Sequence, residues 1–171
     1  MKKIVLTGGP GTGKSTLILA LEQRGEYVIR ESAEDVIRLM QAQGHPEPWT
    51  MPGFQELILK LQLQRESRIP DEAARVFMDR GVPDGLAYAL PGTRTYELLL
   101  QEAKKAKYDL VFLVENLGCT NKTAVRAENH EEAVKLGSKL EEVYRMLGYE
   151  PIRIPAVPLN ERLEKILSEM D

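Results

Sequence analysis

The stretch "VLTGGPGTGKST", Val5 to Thr16, sets four glycines, a lysine and two hydroxyl residues directly after an apolar run. Gly8, four residues, then Gly13, Lys14 and Ser15 satisfy the phosphate-loop pattern. Each residue type has a chemical reason. Gly8, Gly9, Gly11 and Gly13 allow backbone conformations that point successive amides inward, with no side chain in the way. Pro10 and Thr12 complete the loop, and Thr16 carries it into a helix whose free amides and positive dipole end add to the cradle. Lys14 would neutralise β- and γ-phosphate charge. The Ser15 hydroxyl suits Mg²⁺, which keeps most of its other ligands as water or phosphate oxygen. A glycine-rich turn with an incidental lysine is the bland alternative. A strand before the turn and a helix after it disfavour that.

In an open parallel sheet, ligands bind beyond the carboxyl ends of the strands. That rule sorts the acids. Glu31 follows the second apolar run, Asp79 and Arg80 the third, and Glu115 the fourth, all on the edge that carries the phosphate loop. Asp109 precedes its strand and belongs to the opposite edge. Asp79, in "VFMDRG", is the expected magnesium-side carboxylate; capping the next helix or pairing with Arg80 is its alternative. Glu31, in "VIRES", stands where a general base could accept a proton from an acceptor hydroxyl. Complementing a helix dipole beside Ser32 is its alternative. Arg80 and Arg30 are candidates for anionic substrate groups, against ordinary salt bridges. "ENLGCTNKTAVRAENHEEA", Glu115 to Ala133, is polar and irregular. It reads either as a lid, about residues 115–130, that brings Arg126 or Lys122 onto a transferring phosphoryl group, or as a solvated loop. Its "TNKT" lacks the aspartate of a guanine-reading motif, because Ala124 stands there. In "GHPEPWTMPG", Gly44 to Gly53, Trp49 either stacks on a flat acceptor or anchors the loop. His45 reads as a turn residue. Cys119 has no histidine at a spacing that suggests a thiol nucleophile.

These residues need a scaffold, and the pattern supplies one. "IVL" (Ile4 to Leu6), "YVI" (Tyr27 to Ile29), "VFM" (Val76 to Met78), "LVFLV" (Leu110 to Val114) and "IRI" (Ile152 to Ile154) read as strands. The first four are continuously apolar, as parallel strands covered on both faces are. "IRI" lies between Pro151 and Pro155 and reads as an edge. Helical spacing recurs at Ala33, Val36, Ile37 and Met40 after a Ser32 cap; at Phe54, Leu57, Ile58 and Leu61; and at Tyr96, Leu99, Leu100 and Ala103. It recurs again at Ala133, Leu136, Leu140, Val143 and Leu147 between an Asn129 cap and Gly148, and at Leu159, Leu163, Ile166 and Met170. Strand alternating with helix implies right-handed crossovers and a three-layer α/β sandwich.

Bulk properties narrow the function classes. The chain has 171 residues, 43% hydrophobic and 29% charged, with formal net charge −3. That describes one globular domain, residues 1–171, without the basic stripe of a nucleic-acid binder. One cysteine and two histidines leave neither a disulfide nor a Cys-based zinc site. The apolar runs are too short to span a membrane or to form a signal-peptide core, so a cytoplasmic location is expected.

Taken in order, "VLTGGPGTGKST", "VIRESAEDVI", "VFMDRGVPDGLAY" and "RAENHEEAVKLGSKLEEVYRMLGYEPIRIP" resemble the AAA-type predicted-ATPase family of P-loop NTPases. That group is similar to the kinase domain of bifunctional nicotinamide riboside kinases, and more distantly to thymidylate and deoxynucleoside kinases. The resemblance spans nearly the whole chain. It implies a sheet ordered 2-3-1-4-5, ATP with Mg²⁺ as the bound nucleotide, and an adenine pocket near Pro155, Ala156 and Val157. It makes Asp79 and Arg80 the family's Asp-Arg pair, puts Glu31 at the acceptor and Arg126 in the lid. The lid is poorer in arginine than those of typical nucleotide kinases. Three functions remain open: a kinase of a nucleoside-like or nucleotide-like small molecule; an NTPase in which Glu31 or Glu115 orients water; and a nucleotide-dependent regulatory module. Oligomeric state is left open.

Overall fold

The computed structural model describes residues 1–117 and 130–170, His130 by its backbone alone. Among these, five strands form one parallel sheet in the order β2-β3-β1-β4-β5. The strands are β1 (Lys2–Thr7), β2 (Tyr27–Ile29), β3 (Arg75–Asp79), β4 (Leu110–Val114) and β5 (Ile152–Ile154). The helices are α1 (Lys14–Gln23), α2 (Ser32–Ala42), α3 (Phe54–Glu66), α4 (Arg94–Lys105), α5 (His130–Met146) and α6 (Leu159–Ser168). Short 3₁₀ turns fall at Pro48–Thr50 and Val82–Ala87.

β1 is central because it is apolar on both faces. Ile4 and Leu6 pack with Leu17, Ile18 and Leu21 of α1 and Leu163 and Ile166 of α6. Val5 faces the other way and joins Val76, Met78, Val111 and Tyr144. The period of two along each strand therefore feeds two separate apolar layers, giving the three-layer sandwich. A further cluster gathers Leu59, Val82, Leu86, Leu99 and Leu140 from α3, α4, α5 and the 82–87 turn.

Two local expectations are corrected. β2 is not covered on both faces. It is an edge strand, and Tyr27 at its start is 39% exposed. The buried stripe of α3 is Phe54, Leu59 and Gln62, whereas Leu57 is 44% exposed. Phe54, Ile58 and Leu61 of the expected stripe do pack in one apolar cluster, so the helix is turned only slightly, enough to leave Leu57 out and bring the hydrogen-bonded Gln62 in.

Leu6 of β1 lies level with Asp79 of β3 and Phe112 of β4. This register brings the ends of the three inner strands to one edge. α5 then closes on the phosphate loop from outside. A Cβ added to Gly9 would lie 2.3 Å from the Ala133 carbonyl oxygen, and one added to Gly8 2.5 Å from that of Val114. Both neighbours are backbone, so neither can give way cheaply. Gly9→Ala is therefore expected to destabilise the fold by about 1–3 kcal/mol, read as a lower melting temperature by circular dichroism. A melting point equal to wild type would show that α5 does not rest on the loop.

Candidate functional site

The loop between β1 and α1 is built from the inside and the outside at once. Gly8, Gly11 and Gly13 have φ of 143°, 71° and 80°, a region closed to most L-residues. Inside, the Lys14 ammonium donates to the carbonyls of Gly8 and Gly9 at 3.0 and 2.9 Å, and to the Thr12 hydroxyl at 3.1 Å. Lys14 is only 5% exposed, so a cation is stored in the centre of the loop. Outside, the Asn116 amide donates to the Pro10 carbonyl at 3.1 Å, and the Arg162 guanidinium to the Thr12 carbonyl at 2.6 Å. The first amides of α1 have no intrahelical acceptor and face the cradle.

Asp79 ends β3 beside this cradle. The Ser15 hydroxyl donates to its Oδ2 at 2.9 Å, while its Oδ1 is buried with no hydrogen-bond partner. Burial pushes the Asp79 carboxyl from 3.8 up to about 6, and Glu31 pushes the same way; Lys14, Arg80 and the Ser15 hydroxyl pull it back. An orphaned carboxylate oxygen next to a serine hydroxyl is a hard-oxygen pair, which fits Mg²⁺. Among the described residues no group of three or more His, Cys, Asp or Glu could hold a metal.

The next residue, Arg80, is 6% exposed and adopts φ 72°, uncommon for a side chain of its size. Its Nε donates to Glu31 Oε1 at 2.9 Å and its Nη1 to Asp84 Oδ1 at 3.1 Å. Burial works against its charge; Tyr88, Glu31, Asp84 and Asp79 outweigh that and hold it protonated. Its Nη2 is buried with no partner. Asp84 also accepts from the Thr7 hydroxyl at 2.7 Å, the Gly81 amide at 3.0 Å and the Tyr144 hydroxyl at 2.5 Å. So four donors converge on one buried carboxylate and lock the 80–84 turn.

Arg80 and Asp84 form one end of a cavity of about 530 Å³. Its walls come from α2, α3 and the loop between them, with Ile37, Trp49, Met51, Phe54 and Ile58 supplying apolar surface. Gln62 lies at the inner end, where it accepts from Ser32 Oγ at 2.8 Å and donates to Glu66 at 3.0 Å.

The expected residues thus fall into two neighbouring groups. Gly8 to Thr16 and Asp79 gather at the phosphate loop; Arg80 lines the cavity, and Glu31 is joined to it through the Arg80 Nε. Arg80, a candidate for anionic groups of substrate or nucleotide, lines the cavity next to Asp79 and is held by two acids. Ser32 does not cap α2: Glu31 holds the cap position with no side-chain cap bond, and Ser32 is turned inward to Gln62. Arg30 forms an exposed pair with Glu22 at 2.7 Å. Asp109 accepts the Lys3 amide at 2.7 Å on the opposite edge. Trp49 lines the cavity, 44% exposed. Pro155 and Ala156 lie in the β5–α6 connection. Arg126, Lys122, Cys119 and the Asn129 cap lie outside the described residues, as does most of the expected lid.

Asp84, Gln62, Asn116, Tyr144 and Arg162 were not anticipated. For Arg162 a signal existed. It falls three residues after Leu159 and four before Ile166, on the apolar stripe of α6, where a charge needs a reason. Asp84 was hidden, since Pro-Asp-Gly reads as an ordinary turn.

A family model described as an AAA domain matches residues 3–162. Comparison with curated proteins finds no significant relative. Among solved structures, deoxyadenosine kinase from M. mycoides, with dCMP and a flexible dCDP bound, is 17% identical with TM-score 0.64, covering 98% of each chain. NadR in complex with NAD and AMP-PNP is 16% identical with TM-score 0.73 over 98% of this chain and 49% of its own. NadR in complex with NR is 19% identical with TM-score 0.70 over 90% of this chain and 43% of its own. The chain therefore spans about half the length of NadR and nearly all of the deoxyadenosine kinase. At these identities the likeness is one of fold.

The raised Asp79 value has a consequence for stability. A carboxyl that holds its proton more tightly when folded favours the fold at low pH, and loses that contribution as pH rises from about 4 to about 6. Asp79→Asn removes the cost of the buried charge. It is expected to raise stability above pH 6 by up to about 3 kcal/mol, with little effect at pH 4. Urea unfolding at both pH values measures this; an equal or lower stability at pH 7 would contradict it.

Proposed function

The chain belongs to the AAA domain family, and from that membership and the site geometry we propose that it is an ATP-dependent kinase of a small nucleoside-like acceptor. The observation that carries this reading is the cavity. It is large enough for a small molecule, and it ends on Arg80, whose unpartnered Nη2 and adjoining Glu31 suit a hydroxyl group. Hydrolysis of ATP by water would need no such space. The acceptor class is supported by the similar structures, which hold dCMP in the M. mycoides enzyme and NR in NadR.

In this reading the phosphate loop amides and Lys14 bind the triphosphate, and Pro155 and Ala156 flank the adenine. Lys14 leaves the Gly8 and Gly9 carbonyls for the β- and γ-phosphates. Ser15 and Asp79 would hold Mg²⁺, which supplies charge neutralisation at the phosphates. Arg80 Nη2 donates to the acceptor oxygen, and Glu31 takes its proton. The oxygen forms a bond to the γ-phosphorus while the bond to the β–γ bridging oxygen breaks, leaving ADP and a phosphorylated acceptor. Apolar walls keep water from competing. Positioning and charge neutralisation are the main sources of acceleration in such transfers.

ATP, Mg²⁺ and a panel of nucleosides should yield phosphorylated product by mass spectrometry. Glu31→Gln is expected to lower kcat by about 10²–10⁴-fold while ADP binding persists. ADP at 100 times its dissociation constant should raise the melting temperature by roughly 5–10 °C, and Lys14→Ala should abolish most of that rise. Phosphate release without any phosphorylated product across the panel would leave an NTPase instead.

A further inference from the structure

Arg162 sits in the first turn of α6, facing inward and 2% exposed. Its three nitrogens each donate to a main-chain carbonyl of a different segment. Nη1 reaches Thr12 of the phosphate loop at 2.6 Å, Nε reaches Pro155 after β5 at 3.0 Å, and Nη2 reaches Glu115 after β4 at 3.1 Å. Among the described residues no carboxylate forms an ion pair with it; the Glu115 side chain pairs with Arg153 at 3.3 Å instead. Burial accordingly lowers its pKa, with Glu115 acting in the opposite direction. A buried cation with no carboxylate in direct contact is costly, so a merely structural tie would more cheaply be a neutral donor.

The Thr12 contact has a stereochemical consequence. A trans peptide is planar, with its C=O and N–H pointing in opposite directions. Fixing the Thr12 carbonyl outward on Arg162 turns the Gly13 N–H the other way, toward the inside of the loop. Gly13 itself is close beneath the guanidinium: a Cβ there would lie 3.3 Å from Nη1. The same guanidinium holds the Pro155 carbonyl, so the floor of the phosphate site and the β5–α6 connection are pinned to one planar group. A lysine ammonium cannot span three such acceptors, because it lacks the fixed fork.

From this geometry we infer that Arg162 is a positioning residue for the polyphosphate. It sets the Thr12–Gly13 peptide so that the Gly13 amide meets phosphate, and it adds a positive charge from behind the loop. This inference rests on the nucleotide-binding part of the proposed function and not on transfer to an acceptor.

The test is the full chain carrying Arg162→Lys, which keeps the charge and removes the fork. Three readouts are compared with wild type: the ligand-free melting temperature; calorimetric affinity for Mg²⁺–ADP and for inorganic tripolyphosphate; and the Gly13 amide resonance during each titration. The expected result is a fall of about tenfold or more in both affinities, with the Gly13 amide no longer shifting as in wild type. The ligand-free protein should still unfold cooperatively. Wild-type affinity for tripolyphosphate in Arg162→Lys, whatever its melting temperature, would overturn the inference. A loss confined to ADP would overturn it too, since Arg162 would then serve the base and not the phosphates. If wild type binds neither ligand, the nucleotide reading itself falls. If Arg162→Lys does not fold, Arg162→Gln, which retains a planar donor, takes its place under the same criteria.

Discussion

A guanidinium buried between two carboxylates is the interaction on which the rest of this site depends. Taking one ion out of water costs several kcal/mol, recovered only when geometry and hydrogen bonding are good. Arg80 meets that condition through Glu31 at the end of β2 and Asp84 in the following turn. It also spends main-chain strain at φ 72°, eased by its amide's 3.0 Å bond to the Leu6 carbonyl of β1. Glu31 therefore does not point where chance leaves it. Its carboxylate is held by the side chain of the residue that follows Asp79, so the positions of the two acids are coupled through Arg80.

Asp84 extends this arrangement into the fold. Its four donors come from β1, from its own turn, and from α5 through Tyr144. Tyr108 grips the same turn by accepting the Val82 amide at 3.0 Å while donating to Glu66 at 2.9 Å. Burial lifts both phenols well above their ordinary range, and nearby acids lift them further, so they act as neutral donors throughout the physiological range. Neutral donors around a buried acid avoid adding a second cation beside Arg80. The helix that rests on Gly9 of the phosphate loop is thus the one that also reaches Asp84, and a single element spans both halves of the site.

Most of the scaffold was legible from residue pattern. β1 and β4 contain unbroken apolar runs, Ile4 to Leu6 and Leu110 to Val114, and both are inner strands, whereas the shorter run at Tyr27 to Ile29 belongs to an edge. The phosphate loop was legible because its chemistry admits few alternatives at Gly8, Gly13, Lys14 and Ser15. The acids at strand ends were sorted correctly by the carboxyl-edge rule, which separated Asp79 from Asp109. What pattern could not supply was the direction of polar side chains in space. Arg80 reads as surface charge until its partners Glu31 and Asp84 are seen beside it, 49 and 4 residues away in sequence. Gln62 reads as the polar face of α3, yet it is the helix's inward residue. The cavity follows from the approach of α2 to α3, which no local signal encodes. Arg162 is the intermediate case. The breach in the α6 stripe was visible, but not the carbonyls that explain it.

Three buried charged side chains at this sheet edge lack a full complement of ion-pair or hydrogen-bond partners. Asp79 Oδ1 has no donor and Arg80 Nη2 no acceptor, and the buried Arg162 is held by three carbonyls rather than by an ion pair among the described residues. Lys14 meanwhile holds loop carbonyls that turn inward to it. Random mispacking would scatter such defects over the molecule; here they meet at one sheet edge. Their signs also correspond to one set of guests. In the proposed reading a cation would satisfy Asp79, an acceptor oxygen Arg80, and polyanionic phosphate Lys14. Ligands that supplied those partners would add their binding free energy to the stability of the fold.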